Sequence, residues 1–198
     1  MKNLKTPLRY PGGKSRAITK ISEFFPDLSK YDQFREPFLG GGSVSLWVTK
    51  TYPDLLIWVN DLYEPLYNFW TKLQTSGSEM QDILTKIKEE NPDPDKAKEL
   101  FIECKNKVST GDDLDRAVAF YIINKCSFSG LGENSSFSAQ ASDSNFSMNG
   151  IEKLTGYQGL IKHWKITNLS YEELLGADQM EEGAFVYLDP PYEIGSNL

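Results

Sequence analysis

The stretch QFREPFLGGGSVSLWVTK, residues 33–50, decides how the rest of the chain is read. It reads as a short strand ending in Pro37 and three glycines, after which Val44, Leu46, Trp47 and Val48 supply the packing face of a helix. LLIWVND, residues 55–61, follows as a compact apolar run with a carboxylate at its C-terminal end, the pattern of a buried parallel strand. LYEPLYNFWTKL then sets apolar residues at 62, 66, 69, 70 and 73, which suits a second helix. Strand, glycine turn, helix, strand, acid, helix is a βαβ pattern, and it predicts an open α/β sheet.

Working outward, residues 75–125 change character. MQDILTKIKEE, DKAKELFIECKNKV and DLDRAVAFYIINKC are helical by period and are punctuated by NPDPD and STGDD. Residues 127–150 are Ser, Asn and Gly with isolated Phe128, Phe137 and Phe146, and read as a long loop. The α/β pattern returns near residue 160 with HWKITNLS as a strand, YEELLG as a short helix, and AFVYL as an interior strand covered on both faces. The expected organisation is an α/β domain from residues 1–74 and 160–198, interrupted by a mostly helical insertion at 75–159.

A chain of 198 residues, 39% hydrophobic and 25% charged, can bury a real core. No apolar run approaches the roughly 18 residues needed to span a bilayer, so no membrane partner is expected. Cys104 and Cys126 are too few and too far apart in sequence for a disulfide framework or a zinc site, which points to a reducing, cytoplasmic setting. The net charge of −7 is unevenly spread. Lys2, Lys5, Arg9, Lys14, Arg16 and Lys20 precede any acid, and no basic residue follows Lys165. A polyanion could meet a basic face on an otherwise acidic body, although a solvated lysine-rich terminus explains the same pattern.

LRYPGGKS, residues 8–15, ends like a phosphate loop, but G-x-x-x-x-G-K-[ST] demands a glycine where Leu8 stands. MKNLKTP before it is no buried strand, so Lys14 needs another role. Three other features fall where an open α/β sheet places ligands, at the carboxyl ends of its strands. EPFLGGGS, residues 36–43, is a glycine turn before a helix, which admits a ligand close to the backbone or serves simply as a turn. As G-x-G-x-x-G it fails, because Ser45 replaces the third glycine, which leaves a nicotinamide-dependent oxidoreductase without support. Asp61 stands where a carboxylate accepts hydrogen bonds from ribose hydroxyls, and it also suits a helix N-cap.

DPPY, residues 189–192, follows the apolar strand directly. Two prolines fix the chain and hold the Asp189 carboxylate and the Pro190 carbonyl outward, with the Tyr192 ring close by. Two acceptors and a stacking surface are what an exocyclic amine on a planar base requires. Such an amine is a poor nucleophile, because its lone pair is delocalised into the ring. Accepting its hydrogens from two sides favours a pyramidal nitrogen with an available lone pair.

RYPGGK, EPFLGGGS, VNDLYEPL and LDPPY occur in the order and spacing of a known family. In these motifs the chain resembles the adenine-specific DNA N6-methyltransferases of the DNA adenine methylase (D12) type. The resemblance implies a Rossmann-like sheet, S-adenosylmethionine as methyl donor, no metal, and double-stranded DNA as partner with the target adenine flipped out. It implies that Tyr10 and Lys14 contact the cofactor, that Phe38, Gly40 and Gly42 line its pocket, and that Asp61 binds its ribose. It further implies that Asp189, Pro190 and Tyr192 are catalytic, with Asp189 also reaching toward the cofactor. The full-length protein is expected to be a monomer.

Two departures accompany the resemblance. Where relatives often carry arginines after the aromatic-x-Gly-Leu segment, this chain has Glu133, Asn134 and serines. Arginine is the commonest bidentate reader of guanine, so a GATC target does not follow, and Asn134, Gln140 and Asn145 stand as candidate adenine readers. Six residues follow DPPY, whereas the family continues for further motifs and strands. The expectation is therefore a C-terminally truncated methyltransferase that lacks its terminal strands, binds cofactor weakly and transfers methyl poorly. The competing readings are a non-catalytic remnant, or methylation of cytosine N4 or a glutamine amide. His163 and the tryptophans Trp47, Trp58 and Trp70 read as structural.

Overall fold

The computed structural model describes residues 5–128, 135–176 and 183–191. Its sheet is parallel and four-stranded among the described residues: β1 (Gln33–Glu36), β2 (Leu56–Asn60), β3 (Lys165–Thr167) and β4 (Ala184–Val186), in the order β3-β2-β1-β4. The helices are α1 (Ile18–Ile21), α2 (Ser43–Thr51), α3 (Glu64–Glu90), α4 (Pro94–Thr110), α5 (Asp113–Cys126), α6 (Ala139–Asn145), α7 (Met148–Ile151), α8 (Leu154–Ile161) and α9 (Tyr171–Leu175). The predicted β1-α2-β2 unit is present, with Phe34 opposite Ile57 and Glu36 opposite Val59.

The strand order creates the ligand position. The chain steps outward from β1 to β2 to β3 and then crosses the sheet to place β4 on the other side of β1. Such a reversal of direction opens a crevice at the carboxyl ends of the two diverging strands. Glu36 ends β1, Asp61 follows β2 and Asp189 follows β4, so all three acids are delivered to that end.

The helical insertion is stapled at its turns by the residues that punctuate it. Asp93 caps α4 through the amides of Asp95 and Lys96, with Pro94 at the first helical position. Asp112 caps α5 through Leu114 and Asp115. α5 is buried continuously from Ala117 to Cys126, packed between α3 and α4. α3 is kinked at Ser76, whose backbone angles are non-helical. Leu66, Phe69, Trp70 and Leu73 on its first half join one hydrophobic cluster with Phe34 and Val59 of the sheet and with Ile122 and Phe146 of the insertion.

Two expectations are corrected here. Residues 127–150 are not one long loop, because Ser138 and Ser147 each accept a backbone hydrogen bond and start α6 and α7. Phe146 is fully buried and Phe137 packs on Phe101, so two of the three isolated phenylalanines fill core while Phe128 is exposed. β4 is not covered on both faces: Ala184, Phe185 and Val186 are half-buried, and among the described residues the strand pairs only with β1. The side chains of Phe25, Tyr31 and Phe34 gather around Phe185 and fix its face.

Trp58 and Trp70 are buried and Trp47 packs half-buried against the core, whereas His163 is exposed. Cys104 and Cys126 are free and buried, and burial pushes their thiols up to about 12 and about 11, so neither is a ready nucleophile. No helix among the described residues is long and apolar enough to cross a membrane.

Candidate active site

A cleft of about 670 Å³ opens at the carboxyl ends of β1, β2 and β4. Tyr10, Lys14, Phe38, Gly40, Gly42, Asp61, Asp189 and Pro190, scattered through the sequence, all line it. Tyr192 lies outside the described residues.

The floor is the glycine turn between β1 and α2. Gly40 and Gly42 have φ of 50° and 68°, the left-handed region that a side chain resists. Space forbids side chains as well. A Cβ on Gly40 would stand 2.8 Å from Cε1 of Tyr10, and one on Gly42 2.7 Å from Cζ2 of Trp70. The turn is thus pressed between an aromatic ring from the N-terminal loop and another from α3. The Trp70 indole N–H donates to the Gly40 carbonyl at 3.1 Å and fixes its direction.

Asp61 braces this turn. Its Oδ2 accepts from the Gly40 amide at 2.8 Å and its Oδ1 from the Tyr63 amide at 3.0 Å. The N-cap of α3 is Tyr63, so Asp61 does not cap the helix; it closes a local turn just ahead of it. A carboxylate has about four acceptor positions, so two backbone bonds leave capacity for ligand hydroxyls. Burial raises the Asp61 carboxyl above the usual range, and the Gly40 and Tyr63 amides pull it back. Asn60, buried beneath, donates to the carbonyls of Pro37 and Leu169 and accepts from Thr167 and Leu169, tying the loops after β1, β2 and β3 together.

The wall opposite comes from the N-terminal loop. Burial first, then the nearby Asp61 charge, pushes the Tyr10 hydroxyl up to about 12, so it stays a donor. Lys14 forms an ion pair with Asp189, and its ammonium also donates to the Gly12 carbonyl at 2.9 Å. The lysine of PGGK therefore spans the cleft to the DPPY carboxylate. Phe38 packs against Tyr171 of α9 with ring centroids 5.5 Å apart. The Tyr187 amide bonds to the Arg35 carbonyl at 2.8 Å, extending the β1–β4 ladder and setting the level at which Asp189 emerges.

Glu36 is the residue that sequence reasoning passed over. It lines the cleft yet is 3% exposed, and its Oε2 accepts from both the amide and the hydroxyl of Ser45. Burial is the main cause that raises its carboxyl to about 8, with Asp189 and Asp61 adding to the rise. The signal was present, since an acid ends β1 as acids follow β2 and β4. Among the candidate base readers, Asn145 spends its side-chain amide on the Ala141 carbonyl of its own helix, Gln140 is exposed, and Asn134 lies outside the described residues. No group of side chains suited to a metal ion occurs among the described residues.

The profile of the D12 class N6 adenine-specific DNA methyltransferase family matches residues 10–198. The chain belongs to this family. A type II methyltransferase of Methanocaldococcus jannaschii is 24% identical over 206 residues, which cover 96% of this chain and 70% of the relative. A type II methyltransferase of Lactococcus lactis subsp. cremoris is 23% identical over 202 residues, covering 96% of this chain and 66% of the relative. A DNA N-6-adenine-methyltransferase of Escherichia phage P1 is 25% identical over 193 residues, covering 93% of this chain and 24% of the relative. The chain thus spans about two thirds of the first two relatives and a quarter of the third. The cleft lies at the crevice where the strand order reverses, where open α/β sheets bind ligands.

Proposed function

We propose that this cleft binds S-adenosylmethionine beside an adenine turned out of duplex DNA, and that the chain directs methyl transfer to the adenine N6. The observation that carries the reading is that Asp61 and Asp189, 128 residues apart in sequence, line one cleft with the glycine turn between them. The cleft volume lies within the roughly 300–1,000 Å³ usual for small-molecule sites. A glycine cradle that admits no Cβ and a carboxylate with spare acceptor positions fit a nucleoside-bearing cofactor. We assign Asp61 to its ribose hydroxyls and Tyr10, Lys14, Phe38, Gly40 and Gly42 to its contacts.

Bound S-adenosylmethionine supplies a methyl group activated by a sulfonium. The protein's work is on the other reactant. Asp189 and the Pro190 carbonyl accept the two N6 hydrogens, which frees the nitrogen lone pair, and Tyr192 stacks on the base. Transfer would exchange the methyl–sulfur bond for an N6–C bond, the electron pair of the broken bond staying on sulfur, and Asp189 would take the proton that the positively charged N6 releases. Lys14 holds the Asp189 carboxylate toward the cleft until the amine takes its place. Pre-positioned acceptors of this kind act most strongly away from water.

We assign the insertion, residues 75–159, to double-stranded DNA. Phe128 is 66% exposed just after α5, and Arg9 donates to the neighbouring Ser127 carbonyl at 2.7 Å. An exposed aromatic ring close to a cation suits an unstacked base flanked by phosphates.

The test is to incubate the chain with methyl-labelled S-adenosylmethionine and duplex DNA, then digest the DNA to nucleosides. Label is expected in N6-methyladenine. Label in N4-methylcytosine, or in protein alone, overturns the assignment of the base.

A further inference from the structure

The N-terminal segment is fastened to two parts of the molecule at once. Toward the cleft, the Thr6 hydroxyl bonds to the Gly41 carbonyl, the Tyr10 ring covers Gly40 and Gly41, and Lys14 pairs with Asp189. Toward the insertion, Asn124 in the last turn of α5 grips one residue from both sides. Its Oδ1 accepts from the Arg9 amide at 2.9 Å, and its side-chain amide donates to the Arg9 carbonyl at 2.7 Å. A side chain here imitates a β-bridge across 115 residues of sequence. The orientation is fixed, since turning the amide over would set donor against donor and acceptor against acceptor. Asn124 is 1% exposed, so water does not compete for either bond. The Arg9 guanidinium adds a bond to the Ser127 carbonyl, where α5 ends and the exposed Phe128 follows.

Arg9 is the residue immediately before Tyr10. Any shift at the end of α5 therefore passes through the Arg9 peptide to the wall of the cleft. We infer that Asn124 is a positioning residue for methyl transfer, coupling the DNA-facing end of the insertion to the Tyr10–Lys14 loop over the cofactor cleft. The inference rests on the reading of the cleft and insertion given above. It makes cofactor and DNA mutually dependent ligands, and such coupling is reciprocal, each ligand changing the other's affinity by one factor. A tie serving stability alone changes the melting temperature and leaves that factor intact.

The experiment is calorimetric titration of S-adenosylhomocysteine, which cannot react, with and without saturating sheared duplex DNA of mixed sequence. For the wild type we expect DNA to tighten binding by about fivefold or more, the lower end of typical coupling. Asn124→Ala is expected to bind each ligand alone but to bring the factor to about one. Asn124→Asp, which keeps the shape and the acceptor but turns an oxygen toward the Arg9 carbonyl, is expected to do the same and serves if the alanine variant does not fold. A wild-type factor of one with both ligands bound, or a folded variant that keeps the wild-type factor, overturns the inference. Failure of the wild type to bind the analogue without DNA overturns the reading of the cleft itself, and the inference with it.

Discussion

The cleft and the helical insertion are built in opposite ways. The cleft takes three to eight residues from each of four short stretches, most of them polar or glycine, with the glycine turn buried and Tyr10, Lys14, Asp61 and Asp189 open to water in part. The insertion and the helix that leads into it are long, with α3 spanning 27 residues, α4 17 and α5 14, and they bury apolar side chains along their length. The first arrangement gathers carboxylates with spare acceptor positions where a ligand can reach them; the second spends most of its side chains on its own packing. Chemistry and stability are therefore carried by different residues, and substitutions should separate them.

Trp70 is the exception that tests the separation, because it is a core residue of α3 that also supports the cleft's glycine turn. It is fully buried, packs near Phe69 and Trp164, and supports the glycine turn through Gly42 and the Gly40 carbonyl. Trp70→Ala should cost about 4 kcal/mol of stability and also weaken cofactor binding, measured by denaturant unfolding and calorimetry. A loss under about 1 kcal/mol would mean that the two regions do not share this residue as a support.

Asp189→Ala should break the chemistry alone. Methyl transfer should fall about 10³-fold, the scale seen when a positioned transition-state partner is removed. The melting temperature should barely move, since the ion pair with Lys14 is partly exposed and such pairs contribute about 0–1 kcal/mol. A large thermal shift with little loss of rate would reverse the assignment.

Glu36→Gln sharpens the comparison, because Glu36 is a cleft residue buried like a core residue. Its carboxyl titrates higher in the folded chain, about 8, than unfolded. The protonated acid therefore favours the fold, a contribution complete below the unfolded value near 4.5 and lost as pH rises through about 8. The wild type should lose stability between those limits. Glu36→Gln, permanently neutral, should flatten that slope and be the more stable protein at about pH 8.5, read from unfolding curves at several pH values. Parallel curves for the two proteins would place the ionised form in the fold.

The smallest effect belongs to the insertion's surface. Asp112→Ala removes the α5 cap and should cost about 1 kcal/mol without changing the rate of methyl transfer. A matching loss of rate would show that the insertion feeds into the cleft through more than the Asn124 contact.

The legible parts of this chain were those with local causes. The β1-turn-α2-β2 unit follows from the glycines at 40–42, the apolar run ending at Asn60 and the acid after it. The insertion helices follow from their period and from Asp93 and Asp112. The region 127–150 misled because serines read as loop, yet Ser138 and Ser147 act as caps and Phe146 reaches the core from a polar neighbourhood. Asp61 was ambiguous for a similar reason, since whether it caps a helix or faces a ligand depends on where Gly40 lies, 21 residues away.

By itself the sequence determined the fold class and carried the family's motifs, and it named eight of the residues that line the cleft but not Glu36, because glycine, proline and a terminal acid act through backbone geometry within a few positions. The tertiary structure alone decided that β4 returns beside β1, which brings Asp189 to Lys14, that Glu36 is buried at the cleft, and that Asn124 meets Arg9. Those relations depend on which strands pair across more than a hundred residues. No local preference encodes that choice; the burial of the shared core selects it.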